Sequence, residues 1–256
     1  MRVCLLASGS KGNAIYVESG QSRILVDAGL SARELNSRLG GIGVDGEQLD
    51  ALVVSHEHSD HCRGLGPMCR RFDLPVFIHP ETHAALPKVG RISDLRMFET
   101  GDSLDFRDLR IETFSVTHDA AAPVGFVIDS PEGKIGIATD LGIATRLVSQ
   151  RLRDCRVLVL EFNHDERMLL DGPYPWHLKQ RVRSNHGHLS NGDSAKMLQE
   201  LVWDGLEAVF LAHMSETNNH PSLAEGCAME TLGRQQLCRP EVICGCQSRA
   251  SLCFGG

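Results

Sequence analysis

Residues 55–64, Ser-His-Glu-His-Ser-Asp-His-Cys-Arg-Gly, follow directly on the apolar run Ala51, Leu52, Val53, Val54. The stretch from His56 to His61 holds three histidines and two carboxylates. His56 and His58 are two apart, so at the end of an extended segment both side chains point the same way. Asp60 and His61 come after the backbone has begun to turn, so one strand end can feed two adjacent metal ions. Imidazole and carboxylate ligands suit Zn2+ and, with more oxygen donors, Mn2+ or Fe. The bland alternative is a hydrated polar loop.

A chain of 256 residues is long enough to bury a large core as one domain spanning residues 1–256. Its hydrophobic and charged fractions, 42% and 23%, are those of an ordinary globular protein. No apolar run approaches the length of a membrane span, and the first residues lack a secretory pattern, which predicts a cytoplasmic protein with no membrane partner. The nine cysteines are odd in number and scattered, so reduced thiols are expected rather than a structural disulfide framework. A net charge of -7 argues against a generally basic nucleic-acid binder and leaves room only for a local basic groove. Oligomeric state is left open, a dimer included.

Short β-type runs are expected at Val3 to Ala7, Ala14 to Glu18, Arg23 to Val26, 51–54, 75–79, Leu109 to Val116, Gly125 to Asp129, Lys134 to Ala138, 156–162 and 208–213. Helices are expected after the Ser31 cap, and at 62–72, 142–152, 164–170, 175–183, 191–203 and 221–236. Strands precede helices in each half. That order favours two sheets sandwiched between helices.

His56-x-His58-x-Asp60-His61 after an apolar strand resembles the signature of the metallo-β-lactamase superfamily. The resemblance implies an α/β fold, the αββα sandwich: two mixed β-sheets packed face to face with helices outside. It extends to Asp27 in ILVDAG, His118 in SVTHDA, Asp140 in GIATDLG and His213 in FLAHMS, each behind an apolar run. By that likeness, His56, His58, His118 and Asp140 hold one metal, and Asp60, His61, His213 and the same Asp140 hold a second. Asp27 is expected to orient a ligand ring from behind. Two divalent ions, Zn2+ first and Mn2+ or Fe as alternatives, would ionise a shared water near neutral pH, with Asp60 helping to orient it.

The fold does not choose the substrate. HLSNGDSA resembles a phosphodiesterase segment whose histidine binds phosphate or donates a proton to the leaving oxygen, here His188. Its rival reading is a helix N-terminus capped by Ser190 or Asn191 with His188 merely nearby. LASGSKGNAIYV, EFNHD, GPYPWHLKQR, GHLSN and LAHMSETNN together resemble the YycJ/WalJ-like subgroup, which implies a DNA-directed exonuclease with nucleic acid as partner. No sizeable insertion separates Asp140 from His213, so the extra domain of RNA-processing relatives has no room.

Ser8, Ser10, Lys11 and Asn13, in a small-residue loop, are candidate substrate contacts, with a tight hairpin turn as the rival. Asn163 and His164 are candidates at the rim, with helix capping by Asn163 as the rival. Tyr174 and Trp176 could stack on bases and Lys179, Arg181 and Arg183 could meet phosphates, although the flanking prolines fit a packed turn better. Cys62, next to His61, is expected to point into the core, and the Cys244-x-Cys246 pair is expected to be buried rather than metal-binding. The alternative function is hydrolysis of a small cyclic phosphodiester or of a lactone or ester. A non-enzymatic metal scaffold is a third reading, disfavoured by the complete ligand set.

Overall fold

The computed structural model describes residues 1–256. In chain order the strands and helices are β1 Arg2–Ala7, β2 Ala14–Glu18, β3 Arg23–Val26, α1 Ala32–Gly41, β4 Ala51–Val53, α2 Ser59–Cys62, α3 Leu65–Phe72, β5 Val76–Ile78, α4 Pro80–Ala85, β6 Leu95–Met97, β7 Ser103–Phe106 and β8 Leu109–Ser115. There follow β9 Val124–Ser130, β10 Gly133–Ala138, α5 Arg146–Arg151, β11 Val157–Glu161, α6 Glu166–Asp171, α7 Trp176–Val182, α8 Asn191–Leu201, β12 Ala208–Ala212, α9 Pro221–Gly233 and β13 Glu241–Cys244.

The strands form two sheets in nearly sequential order, β1 to β6 in the first and β13 back to β7 in the second. The first is antiparallel through β3 and parallel from β3 to β6. The second is antiparallel from β7 to β10 and parallel from β10 to β13. Both are therefore mixed.

The layering follows from residues that alternate between two apolar surroundings. In β4, Ala51 and Val53 join an inner cluster that also holds Ile111, Phe126, Val159 and Phe210 of the second sheet, while Leu52 faces α1 and α3 through Leu35, Leu39 and Met68. In β11, Val157 and Val159 point inward, and Leu158 and Leu160 pack outward on α8 and α9. Period-two side chains buried on both faces give near-continuous apolar strands and the order helix, sheet, sheet, helix.

Several element bounds differ from expectation. The helix expected over 62–72 is split into α2 and α3, and Gly64, between them, approaches so closely that a Cβ there would lie 2.2 Å from the Leu30 carbonyl oxygen. The helix expected from 142 starts at Arg146, because Gly142 and Ile143 donate to the Thr117 carbonyl and hydroxyl at 2.7 and 3.0 Å and Thr145 caps the helix. The strands β6, β7 and β13 and the helix α4 were not anticipated; β6 is only three residues long and carries no run of buried apolar side chains.

Candidate metal centre

The site gathers at the carboxyl ends of strands, the usual place for ligands in open α/β sheets. Asp27 follows β3, the histidine-rich loop follows β4, His118 follows β8, Asp140 follows β10, Glu161 ends β11 and His213 follows β12. Three loops are knitted together beneath it. Asn13 N–H donates to Asp60 O at 2.7 Å, Gly29 N–H to Asn13 O at 2.8 Å and Ala28 N–H to His61 O at 2.7 Å. A Cβ on Gly29 would lie 1.6 Å from Asp60 O, so this backbone approach requires glycine.

The seven expected ligands converge. His56 Nε2 and His118 Nε2 lie 3.1 and 3.2 Å from His58 Nδ1. His61 Nε2 is 3.3 Å from Asp140 Oδ2, and His213 Nε2 is 3.4 Å from Asp140 Oδ1. Asp60 Oδ2 is 3.6 Å from His61 Nε2 and 3.7 Å from His213 Nε2. Nitrogens about 2.0–2.1 Å from one tetrahedral zinc stand about 3.3 Å apart, so these separations are those of ligands sharing a cation. Asp140 Oδ2 and His213 Nε2 are buried with no hydrogen-bond partner, which a cation would supply. Asp140 reaches both sets, with Oδ1 3.7 Å from His118 Nε2. The residues fit divalent metal.

Charge inside the cage is set by proximity. Burial opposes ionisation of Asp140, yet the rings of His213 and His61 hold its carboxyl well below the usual range. Burial likewise opposes charging His213, but Asp140, Asp60 and Glu161 raise it to about 10. His56 and His118 are lowered, chiefly by burial. The backbone is held in the left-handed region at Asp27, Asp140 and His213 (φ 62°, 58° and 54°), three of the six non-glycine residues there. Such residues cost about 1–3 kcal/mol each and persist where the surroundings over-determine them.

Two buried carboxylates orient the rings from behind. Asp27 accepts from Ser55 N–H and Oγ–H, both at 2.8 Å, and its Oδ2 lies 2.7 Å from His61 Nδ1. That contact leaves His61 Nε2 directed at Asp60 and Asp140. Glu161 was read in the sequence only as part of a rim string, and the structure gives it more. Its Oε1 is 2.7 Å from His188 Nδ1 and 3.2 Å from His213 Nδ1, while Oε2 accepts from Leu141 N–H and Leu189 N–H at 2.8 and 3.1 Å. Burial works against that charge, but His188 and His213 bring the Glu161 carboxyl down to about 2. The signal for Glu161 was an acid closing an otherwise apolar strand.

His188 stands beside the cage, its Nδ1 3.9 Å from Asp140 Oδ1 and its ring stacked on His213 with centroids 5.0 Å apart. Ser190 caps α8, as its rival reading has it, and His188 is nonetheless in contact with the site.

The candidate substrate contacts divide. Ser10 and Lys11 are exposed, and Lys11 pairs with Glu216. Ser8, Asn13, Asn163 and His164 are buried, and Asn13 Nδ2 lies 2.9 Å from His61 Nε2 and 3.3 Å from Asp60 Oδ2. Ser8 Oγ accepts from His213 N–H at 2.7 Å, Asn13 Oδ1 accepts from Gly9 N–H at 2.7 Å, and Asn163 Nδ2 donates to His213 O at 2.8 Å. His164 is lowered to about 4, first by burial, and its Nδ1 has no partner. The cap of α6 is Asp165 rather than Asn163. Trp176 is 60% exposed instead of packed, Lys179 is buried with Nζ donating to Leu170 O at 2.6 Å, and Arg181 pairs with Asp119. Cys62 lies in the core, with its thiol 2.9 Å from Glu57 O. No helix is long and apolar enough to cross a membrane.

Residues 22–214 match the family model described as beta-lactamase superfamily domain. Exodeoxyribonuclease YycJ of Bacillus anthracis is 36% identical over 231 residues, covering 89% of this chain and 88% of that protein. Exodeoxyribonuclease WalJ of Streptococcus pneumoniae serotype 2 is 34% identical over 238 residues, 91% of this chain and 88% of that one. Among solved structures, the metallo-beta-lactamase fold protein YhfI from Bacillus subtilis superposes with a TM-score of 0.74 over 100% of this chain and 98% of that chain at 17% identity, a likeness of fold alone. With that fold, that identity across nine-tenths of its length and a cage fitted to divalent cations, the chain belongs to the metallo-β-lactamase superfamily of metal-dependent hydrolases, in its YycJ/WalJ-like group.

Proposed function

We propose that this protein is a dinuclear metal-dependent exonuclease acting on DNA. The observation that carries this reading is His188, held by the buried Glu161 carboxylate beside the shared Asp140, in a chain whose relatives over about nine-tenths of its length are named exodeoxyribonucleases.

His56, His58, His118 and Asp140 would hold one cation and Asp60, His61, His213 and Asp140 the other. Two bound cations would supply a water ionised near neutral pH and positive charge for both the attacking and leaving oxygens of an in-line displacement. The chain's own groups do the remainder. Asp60, partly exposed at the mouth, accepts a hydrogen bond from the attacking water and orients its lone pair toward phosphorus. Asp27 and Glu161 fix the His61 and His213 rings so that Nε2 of each faces inward. His188 has Nδ1 engaged by Glu161, which leaves Nε2 for the substrate. The adjacent carboxylate balances the charge of an imidazolium, the form with a proton to give to the leaving sugar oxygen. Exposed Lys11 and Arg183 offer phosphate contacts, and Trp176 a surface on which a base can stack.

End-labelled duplex and single-stranded DNA, incubated with the protein and Mn2+ or Zn2+, tests the proposal. Stepwise loss of nucleotides from one end, absent with chelator and with Asp60→Ala, is the expected result. Rapid turnover of a small phosphodiester or a lactone, with no digestion of any oligonucleotide under any divalent metal, would overturn it in favour of the small-molecule reading, which the net charge of -7 favours.

A further inference from the structure

The C-terminal tail leaves β13 at the edge of the second sheet and returns along β1 at the edge of the first. Val3 and Phe254 form an antiparallel bridge and exchange both backbone hydrogen bonds, Val3 N–H to Phe254 O at 3.0 Å and Phe254 N–H to Val3 O at 2.9 Å. Cys4 and Cys253 each stand one residue from this bridge, on the two facing segments. In a regular antiparallel pair the positions next to a hydrogen-bonded pair have Cα atoms about 4.5 Å apart, and a disulfide spans about 4.4–6.8 Å, so flanking the bridge brings the two cysteines within bridging reach. The two thiols are near enough to influence each other's ionisation, and Cys253 packs against the apolar cluster that holds Cys4.

Their surroundings differ. Cys4 is fully buried, and burial followed by the Cys253 neighbour pushes its thiol up to about 12. Cys253 is only partly buried, and Arg2 Nη2 donates to its sulfur at 3.6 Å. Cys253 is therefore the sulfur that a dissolved disulfide reaches first, and exchange proceeds through its thiolate.

We propose that Cys4 and Cys253 are a redox-active dithiol, closed to a disulfide by exchange with an oxidised low-molecular-weight thiol. The Cys253 thiolate attacks one sulfur of the oxidant, forms a mixed disulfide and expels one thiolate. The Cys4 sulfur then attacks the Cys253 sulfur, expels the second thiolate and gives up its own proton to it. The pair loses two hydrogens, and the oxidant is reduced to two thiols. The nine cysteines, all free here, thus include one pair poised for reversible closure, which the scattered spacing in the sequence does not disclose.

Closure would tie down the segment that backs the site. Ser251 N–H donates to Leu5 O at 2.9 Å, Ser8 N–H to Cys246 O at 3.1 Å, and Lys11 N–H to Gln247 Oε1 at 2.7 Å. Ser8 in turn receives His213 N–H. The cross-link therefore holds the tail whose Gln247 supports the Lys11 loop. Closure of this pair is independent of which substrate the metal site takes.

The test treats the folded, metal-loaded protein with oxidised glutathione, alkylates the remaining thiols and maps unreduced tryptic peptides. The expected product joins peptide 3–11, carrying Cys4, to peptide 250–256, carrying Cys253. The thermal midpoint should rise with oxidation and return with a reductant, and Cys253→Ser, altered near the surface, should show neither effect. A Cys253 peptide bearing only the glutathione adduct with Cys4 alkylated, a cross-link to any other cysteine, or a link formed only in denaturant would overturn the proposal.

Discussion

The two sheets contribute to the cage in opposite ways. The first supplies His56, His58, Asp60 and His61 from one loop after β4, while the second supplies His118, Asp140 and His213 from three separate strand ends. Each part is steadied by a buried carboxylate: Asp27 behind His61, and Glu161 behind His213 and His188. The first cluster depends on the geometry of one turn. The second depends on the register of β8 through β12, since a slip of one residue would turn every side chain of a strand to its other face. Asp140 is where the two parts meet, and Glu161 touches both His213 and His188, whereas Asp27 touches only the first cluster.

This contrast orders the expected effects of substitution. Asp140→Ala should do the most damage: losing the carboxylate common to both sets should reduce bound metal and lower hydrolysis by about 10³-fold or more, as several kcal/mol of charge stabilisation implies, read by elemental analysis alongside rates. His188→Asn should lower kcat by about 10²- to 10⁴-fold while bound metal stays at the wild-type level. Glu161→Gln and Asp27→Asn separate the two halves, each costing about 10- to 100-fold. The Asp27 variant should recover when metal is raised to saturation, whereas the Glu161 variant should stay slow because His188 is also misplaced. Lys11→Ala should have the smallest effect, a few-fold rise in KM with a shallower salt dependence.

The halves also differ in protonation. In the metal-free protein His213 is held up at about 10 by Asp140, Asp60 and Glu161 against the effect of burial. A raised value contributes stability that is complete below the ordinary 6.5 and is lost as pH climbs through about 10. Glu161, lowered to about 2, contributes above its ordinary 4.5 and loses that contribution as pH falls through about 2. The thermal midpoint of chelated protein should therefore fall between neutral pH and pH about 10. Metal-loaded protein should fall less over that interval, since a cation takes the proton's place on the ring.

The same contrast explains what the sequence disclosed. The β4 loop was legible because its ligands are contiguous and behind an apolar run, so spacing alone gave direction. His118, Asp140 and His213 were visible only through resemblance, because an isolated polar residue after a strand carries no ligand signature. Glu161 acquires its role from contacts with residues 188 and 213, which no local pattern encodes. What the sequence did not disclose in the candidate substrate residues is their bracing: Ser8, Asn13 and Asn163 make buried hydrogen bonds around the cage. Short edge strands such as β6 escaped because pairing, rather than their own composition, makes them strands.

Titration of metal-free protein with Zn2+ or Mn2+, followed by calorimetry and by elemental analysis after gel filtration, addresses the shared cage itself. Two equivalents per chain for the wild type, falling below two in Asp140→Ala, is the expected result. A single equivalent in the wild type, or two retained after loss of Asp140, would contradict it.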